Sequence, residues 1–106
     1  MDGEREWRRM KIYLSGAMTS CADTYRQAFY KAQLELEREG HIIINPARLP
    51  TGLEHEKYMP ICLSMIDGAD AIYLFNNWQN SKGALLEKAY AEYQNKEVIY
   101  GRASNE

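Results

Sequence analysis

The strongest constraint on the fold is the alternation of short apolar runs with longer segments of helical periodicity. Four runs rich in β-branched and aromatic side chains predict strands. They span 11–15, 41–45, 71–75 and 97–100. The run from His41 to Asn45 is nearly unbroken in its apolar character. Such a run is typical of a strand that is buried on both faces of a parallel sheet.

Three helical patterns separate these runs. They cover about 24–39, 58–67 and 83–95. Thr24 and Gln27 form a capping-box pair, which predicts the start of the first helix, and Gly40 predicts its end. Pro60 is expected in the first turn of the second helix, where proline is tolerated.

Strands and helices therefore alternate, and the series begins and ends with a strand. With right-handed crossovers this order predicts a three-layer α/β/α sandwich around a four-stranded parallel sheet, ordered 2-1-3-4, of the Rossmann or flavodoxin type. The order reverses between strands 1 and 3, and open α/β sheets bind ligands at such a point, outside the carboxyl ends of the strands. The loops 15–20 and 76–82 are therefore predicted to form a binding site.

Length and charge limit the class of protein. A chain of 106 residues suits one domain, which we expect at 10–100, between a flexible N-terminal extension at 1–9 and a flexible tail at 101–106. The formal net charge of -2, without a long basic stretch, disfavours a nucleic acid polymer as partner. No apolar run approaches the roughly 18 residues that span a bilayer, so we expect a soluble, cytoplasmic protein with no membrane partner.

Metal and cofactor chemistry are not expected. Cys21 and Cys62 match no zinc spacing and are interpreted as reduced thiols. With only His41 and His55 and no carboxylate cluster at ligand spacing, we predict no metal site. The dinucleotide motif G-x-G-x-x-G, the P-loop motif and the nucleophile elbow G-x-S-x-G are missing from the sequence, which argues against hydride and phosphoryl transfer.

Glu87 is the residue whose position most favours chemistry. It lies in the second turn of the third predicted helix, where Gly83, Ala84 and Ala91 at helical spacings leave room beside its carboxylate. The alternative is an acidic residue that complements the helix dipole and faces water. Ser81 precedes this helix as an N-cap. Its hydroxyl and the free backbone N–H groups suit a phosphate, although capping alone also explains the serine.

Three other side chains each have two interpretations. Tyr13 is either a core residue or the partner of a carboxylate across the sheet. Trp78 either covers a base or fills a surface groove. Asn45 either meets a sugar hydroxyl at a strand end or opens a turn before Pro46.

Three segments carry a resemblance to a known superfamily: Ile12–Gly16, Ala69-Asp70 and, most specifically, Ser81-Lys82-Gly83-Ala84-Leu85-Leu86-Glu87. Through them the chain from Lys11 to about Tyr100 resembles the nucleoside 2-deoxyribosyltransferase superfamily, which includes the 2'-deoxynucleoside 5'-phosphate N-hydrolases. It looks most like a family of short bacterial and phage proteins in that group, which have a Trp-x-x-Ser-x-Gly-Ala-x-x-x-Glu segment.

This resemblance implies cleavage of the N-glycosidic bond of a small nucleoside or nucleotide, or 2-deoxyribosyl transfer, with no cofactor. Glu87 matches the nucleophile and Tyr13 the tyrosine that orients it, so these are the predicted catalytic residues. The carboxylate would stabilise an oxocarbenium-like centre and then bond to it. The predicted substrate-binding residues are Ser81, Gly16, Gly83, Thr19, Asn45, Trp78 and Cys62. Superfamily members are usually oligomers, so we expect a homodimer or a larger assembly.

Three positions depart from the N-hydrolase pattern. Ala17 and Thr19 stand where those enzymes carry Ser and Arg, so a charged phosphate clamp is missing. Cys62 stands where they place an Asp that acts as acid or base at the leaving base, and a thiol is a poor substitute near neutral pH. These departures favour an alternative, a non-catalytic protein that binds a nucleotide-derived ligand or signal. An interaction protein with a vestigial pocket is a third hypothesis.

Overall fold

The strands and helices follow the order that the sequence predicts. The computed structural model describes residues 8–17 and 22–101. The strands are β1 (Lys11–Ser15), β2 (Ile42–Ile44), β3 (Ala71–Leu74) and β4 (Glu97–Tyr100), and the α-helices are α1 (Ala22–Arg38), α2 (His55–Asp67) and α3 (Lys82–Tyr93). Short 3-10 helices at Pro46–Arg48 and Trp78–Asn80 precede α2 and α3. Thr19 and most of the predicted N-terminal extension and tail lie outside the described residues.

The four strands form one parallel sheet in the order β2-β1-β3-β4, as predicted. Tyr13 pairs with Ile44 on one side and with Ile72 on the other, so β1 lies inside the sheet. The strand order reverses between β1 and β3. The carboxyl end of β1, at Ser15, therefore lies at the switch point where α/β sheets bind ligands.

The helices cover both faces of the sheet, which gives the three layers. Successive residues of a strand point to opposite faces. Leu14 packs with Phe29 of α1 in one core cluster. Tyr13 packs with Cys62 of α2 and Ala91 of α3 in the other. The helix α1 thus lies on one face, and α2 and α3 lie together on the other.

The expectation that strand 2 is buried on both faces is wrong. This strand is only three residues long, lies at the edge of the sheet, and leaves Ile42 49% exposed. Its side chains are only partly covered on either face, with Ile43 against the Leu14 cluster and Ile44 against the Tyr13 cluster. Sequence periodicity alone does not distinguish an edge strand of this kind from a central strand.

Three helix boundaries also differ from those predicted. The helix α1 begins at Ala22, so Thr24 lies in its first turn rather than at the N-cap. The helix α2 begins at His55, which makes Pro60 its sixth residue rather than a first-turn residue. The helix α3 ends at Tyr93, before Asn95, which adopts a left-handed backbone with φ of 63°. Asparagine tolerates that conformation, which ends helices.

No helix in the described ranges is long and apolar enough to cross a membrane.

Candidate active site

Glu87 is buried at the carboxyl end of β1 and accepts two hydrogen bonds there. Only 5% of Glu87 is exposed. Tyr13 Oη donates to Glu87 Oε2 over 3.0 Å, and Ser15 Oγ donates to Glu87 Oε1 over 2.6 Å. The interpretation of Glu87 as a residue that faces water beside the helix dipole is therefore wrong. Each carboxylate oxygen has its own hydroxyl donor, which holds the group in one orientation.

The local structure explains why these three side chains meet. Tyr13 and Ser15 are two residues apart in β1, so they point to the same face of the sheet, towards α3. In α3, Ala84, Glu87 and Ala91 are buried at spacings of three and four and form the stripe that packs on the sheet. The small alanines let the helix approach β1 closely, which brings the Glu87 carboxylate to the hydroxyl groups.

Two opposing effects set the ionisation of Glu87. Burial raises the pKa of Glu87, since removal from water disfavours the charged form. Hydrogen bonds from Ser15 and Tyr13 lower the pKa again, because they stabilise the carboxylate, but burial is the larger effect. The net result is a raised pKa at a carboxyl group that has a hydroxyl donor on each oxygen.

Cys62 lies in the same cluster, close enough to interact with both Tyr13 and Glu87. Burial raises the pKa of the Cys62 thiol to about 11. Burial, followed by the neighbouring Glu87, also raises the pKa of Tyr13 well above its usual value. Both groups therefore keep their protons at neutral pH, so Cys62 is a neutral thiol and Tyr13 a neutral hydroxyl donor.

An open cleft of about 680 Å³ lies beside Glu87. Segments from all three helices and from the loops that follow β1, β2 and β3 line it. The lining residues are Gly16, Ala17, Tyr25, Arg26, Pro46, Leu49, Leu53, Tyr58, Met59, Cys62, Asn77, Asn80, Ser81, Lys82, Gly83, Ala84 and Glu87. The cleft has room for a small organic ligand such as a nucleoside.

The cleft carries two cations that the sequence reasoning missed, Arg26 and Lys82. Arg26 is half-buried on α1, and its Nη1 donates to the Ala47 carbonyl over 2.9 Å. Lys82 is exposed at the first position of α3. Thr19, which stands at the arginine position of the N-hydrolase pattern, is outside the described residues, but positive charge reaches the cleft from these other places.

Ser81, Gly83 and Gly16, which the sequence predicts to bind substrate, lie in the lining of the cleft. Ser81 Oγ accepts from the backbone N–H of Ala84 over 3.1 Å, so it caps α3 in addition to facing the cleft. A Cβ on Gly16 would lie 3.0 Å from the Phe75 ring and 3.2 Å from Asn77 Oδ1, closer than side chains normally pack. At Gly83 the nearest atom would be 3.5 Å away, so of these two glycines Gly16 is the one that close packing requires.

The structure does not bring Asn45 to the cleft lining. The Asn45 amide is 5% exposed, accepts from the Ala47 N–H over 2.8 Å and donates to Gln33 Oε1 over 2.9 Å. These bonds cap the 3-10 helix Pro46–Arg48 and join it to α1. They favour the turn-opening interpretation of Asn45.

Trp78 also lies away from the cleft lining. Its ring is half-buried against the core on the α3 side, with the Tyr100 ring at 6.1 Å and Lys88 Nζ at 5.3 Å. This arrangement fills the groove between α3 and β4. It favours the packing interpretation over a role in covering a base.

Across the described part of the chain, no group of three or more histidine, cysteine or acidic residues is placed to hold a metal ion.

Comparisons with known families and structures give a family match and a fold match. A family model described as "Domain of unknown function (DUF4406)" matches residues 10–100. No curated protein matches the chain. Among solved structures, the "2-desoxiribosyltransferase from Leishmania mexicana" matches with a TM-score of 0.68 and 17% sequence identity, over 85% of this chain and 62% of that chain. The fold is therefore that of a nucleoside deoxyribosyltransferase, and the chain spans less than two thirds of that protein.

Proposed function

The chain belongs to the DUF4406 family, and we propose that it breaks the N-glycosidic bond of a nucleoside or nucleotide with Glu87 as the nucleophile. The observation that carries this proposal is the buried Glu87 carboxylate beside the cleft, with a hydroxyl donor on each oxygen. A purely structural role gives no reason to bury an ionisable carboxyl group beside an open cleft. Burial of an acid normally carries a cost in stability, and such costs concentrate at functional sites.

In the proposed first step, Glu87 attacks the anomeric carbon of the sugar. The new bond joins a carboxylate oxygen to C1', while the C1'–N bond breaks and its electron pair leaves with the base. Positive charge develops at C1' in the transition state, and the nearby carboxylate stabilises it. In the second step water, or a second base, attacks C1' and releases the Glu87 carboxylate. Water gives hydrolysis and a base gives 2-deoxyribosyl transfer.

Tyr13 and Ser15 act on the nucleophile in this scheme. Their hydrogen bonds favour the ionised form of Glu87, which is the form that attacks. They also restrict rotation of the carboxylate, so one orientation is presented to the sugar. Because the Tyr13 hydroxyl keeps its proton at neutral pH, it donates throughout the cycle.

The second candidate is a protein that binds a nucleotide-derived ligand without turnover. The specific observation in its favour is Cys62, which stands where the resemblance expects an acid at the leaving base. A thiol with a pKa of about 11 gives up no proton at neutral pH at a useful rate. In this case Glu87 would accept a hydrogen bond from a sugar hydroxyl group rather than attack C1'.

Chromatographic detection of free base separates the two candidates. The substrates are deoxyribonucleosides and their 5'-monophosphates, and the variants are Glu87→Gln and Glu56→Gln as a matched control on the exposed surface of α2. Base release by wild type and by the control, but not by Glu87→Gln, is the result expected of the enzyme. A ligand that raises the melting temperature without any base release, in wild type and control alike, contradicts turnover and supports the binding protein.

We also propose that the chain forms a homo-oligomer. Leu85 and Leu86 on α3 are 44% and 48% exposed, and Ile61 on α2 is 38% exposed. Such apolar side chains on two neighbouring helices suit a contact with a second copy. Sedimentation velocity at micromolar concentration should show a dimer or larger species, and a monomer alone would contradict this proposal.

A further inference from the structure

Arg26 is a half-buried cation in the cleft, and within the described residues one hydrogen bond anchors it. Its Nη1 donates to the Ala47 carbonyl over 2.9 Å, and its guanidinium lies 5.5 Å from the centroid of the Tyr25 ring. A guanidinium has five N–H donors in a planar fork. Within the described residues its hydrogen-bond acceptor is the Ala47 carbonyl, and the other donors of the fork are the groups that we assign to a ligand.

The side chains around Arg26 suit a nucleobase. The cleft lining near it includes the Tyr25 ring, Pro46 and Leu49. The loop residue Leu53 and the Tyr58 ring add further apolar surface to the cleft lining. A nucleobase has two apolar faces and a polar edge, so it fits an apolar wall that carries one fixed set of donors.

The opposite end of the cleft has a different character. Ser81, Lys82 and Gly83 form the first turn of α3 and its cap, where free backbone N–H groups and a lysine favour an anion. The helices α1 and α3 lie on opposite faces of the sheet, so Arg26 and Lys82 stand on opposite sides of the cleft. The sugar of a nucleotide lies between its base and its phosphate. With the phosphate at α3, the base falls on the Arg26 side.

From this arrangement we propose that Arg26 recognises the acceptor edge of a 6-oxopurine, so that the preferred substrates are deoxyguanosine, deoxyinosine and their nucleotides. This proposal rests on the proposed function. An arginine fork donates to O6 and N7 of guanine at once, because both atoms are acceptors. Adenine presents an amino donor at the corresponding position, and pyrimidines lack the paired acceptors.

Recognition of this edge also assists departure of the base. When the C1'–N9 bond breaks, its electron pair goes to the base, and the negative charge is shared with N7 and O6. The guanidinium of Arg26 donates to those atoms and stabilises that charge in a cleft that is partly shielded from water. Water supplies the proton to the base after it leaves. Arg26 thus provides electrostatically what the neutral Cys62 thiol does not supply as an acid.

The test is the ratio of kcat/KM for deoxyguanosine to that for deoxyadenosine, each without a phosphate. In wild type this ratio should be about tenfold or more, as expected for one bidentate contact. In Arg26→Gln it should fall at least about tenfold, since glutamine pairs with the adenine edge instead. Arg26→Lys keeps the charge without the fork and should lose most of the preference. Arg48→Gln, at an exposed position on the 3-10 helix, is the matched control and should keep the wild-type ratio.

Three results overturn the proposal: a wild-type ratio near one, an unchanged ratio in Arg26→Gln, or a loss in Arg26→Gln that is equal for all bases and appears only with 5'-monophosphates. The last result would assign Arg26 to the phosphate. These results leave Glu87-dependent base release intact, so they are distinguishable from failure of the proposed function. If wild type releases no base, calorimetric binding of deoxyguanosine and deoxyadenosine to wild type and Arg26→Gln measures the same preference, and equal affinities overturn the proposal.

Discussion

Replacement of Ser15 by alanine tests how the protein keeps a charge on Glu87. Ser15 Oγ lies 2.6 Å from Glu87 Oε1, and both residues are buried, at 1% and 5% exposed. A bond of this length to a carboxylate is charge-assisted. In Ser15→Ala one carboxylate oxygen loses its donor in a site where little water can replace it.

The magnitude follows from the strength of such a bond. A hydrogen bond to a charged group contributes roughly 1.5–3 kcal/mol, and about 1.4 kcal/mol corresponds to a tenfold change. If the bond acts mainly on the ionised nucleophile, kcat/KM for base release should fall by roughly 10- to 150-fold at neutral pH. The acid limb of the pH–rate profile should move to higher pH, because loss of the Ser15 bond raises the pKa of Glu87 further.

The assay combines kinetics with a direct titration. Base release is measured from pH 4 to pH 9, and the Glu87 carboxyl is titrated by NMR in protein labelled with ¹³C-glutamate. Ser64→Ala, at an exposed position of α2, serves as the matched serine control and should change neither. Ser15→Cys, with a weaker donor, should lie between wild type and Ser15→Ala. An unmoved Glu87 titration in Ser15→Ala would refute the reasoning, whatever happens to the rate.

The remaining predictions concern Glu87, its donor Tyr13 and two glycines that line the cleft. Burial holds the folded-state pKa of Glu87 above its unfolded value. Protonation of Glu87 therefore stabilises the fold at acid pH, and this stability is lost as the pH rises through the raised pKa. Glu87→Gln should raise the melting temperature more at pH 7 than at pH 4, and an equal effect at both pH values would contradict this. Tyr13→Phe should lower kcat/KM by roughly tenfold or more and move the acid limb upwards, whereas Tyr90→Phe, which removes a hydroxyl that donates to a surface carboxylate, should leave the profile in place. Gly16→Ala should cost about 1–3 kcal/mol in urea unfolding because its Cβ would lie 3.0 Å from a phenylalanine ring, whereas Gly83→Ala should be neutral or stabilising, and equal effects would show that close packing does not select Gly16.

Much of the fold could be predicted because local patterns and chain topology agree. The apolar runs identify all four strands, and the connections between them permit few arrangements of a parallel sheet. The predicted order already placed β2 at the edge of the sheet, but the partial exposure of its three isoleucines could not be read from the apolar run, because cover by the helices is a property of the assembled fold. The early start of α2 depends on the backbone of Glu54, which is extended at φ -65° and begins the helix without a side-chain cap.

Part of the candidate site could be predicted from the resemblance and from the alternation of side chains along β1. Glu87 and Tyr13 follow from the resemblance, and Ser15 could have been added from the two-residue alternation of β1, which points it to the same side as Tyr13. The place of Arg26 in the cleft could not be predicted, because Arg26 reaches the cleft only through the packing of α1 beside the loop after β2. The sequence does not decide between the two interpretations of Asn45, because its buried partner, Gln33, is a neighbour only in the folded chain.

The central claim is that Glu87 becomes covalently bonded to the sugar, and trapping that intermediate tests it most directly. A 2'-fluoro nucleoside slows both steps, because fluorine destabilises positive charge at C1', and a good leaving base allows the first step to proceed. Intact-mass spectrometry should show one added fluorosugar per chain, and peptide mapping should place it on Glu87, with none in Glu87→Gln and a normal yield in Glu56→Gln. An adduct on another residue, or steady base release without any adduct, would contradict the account.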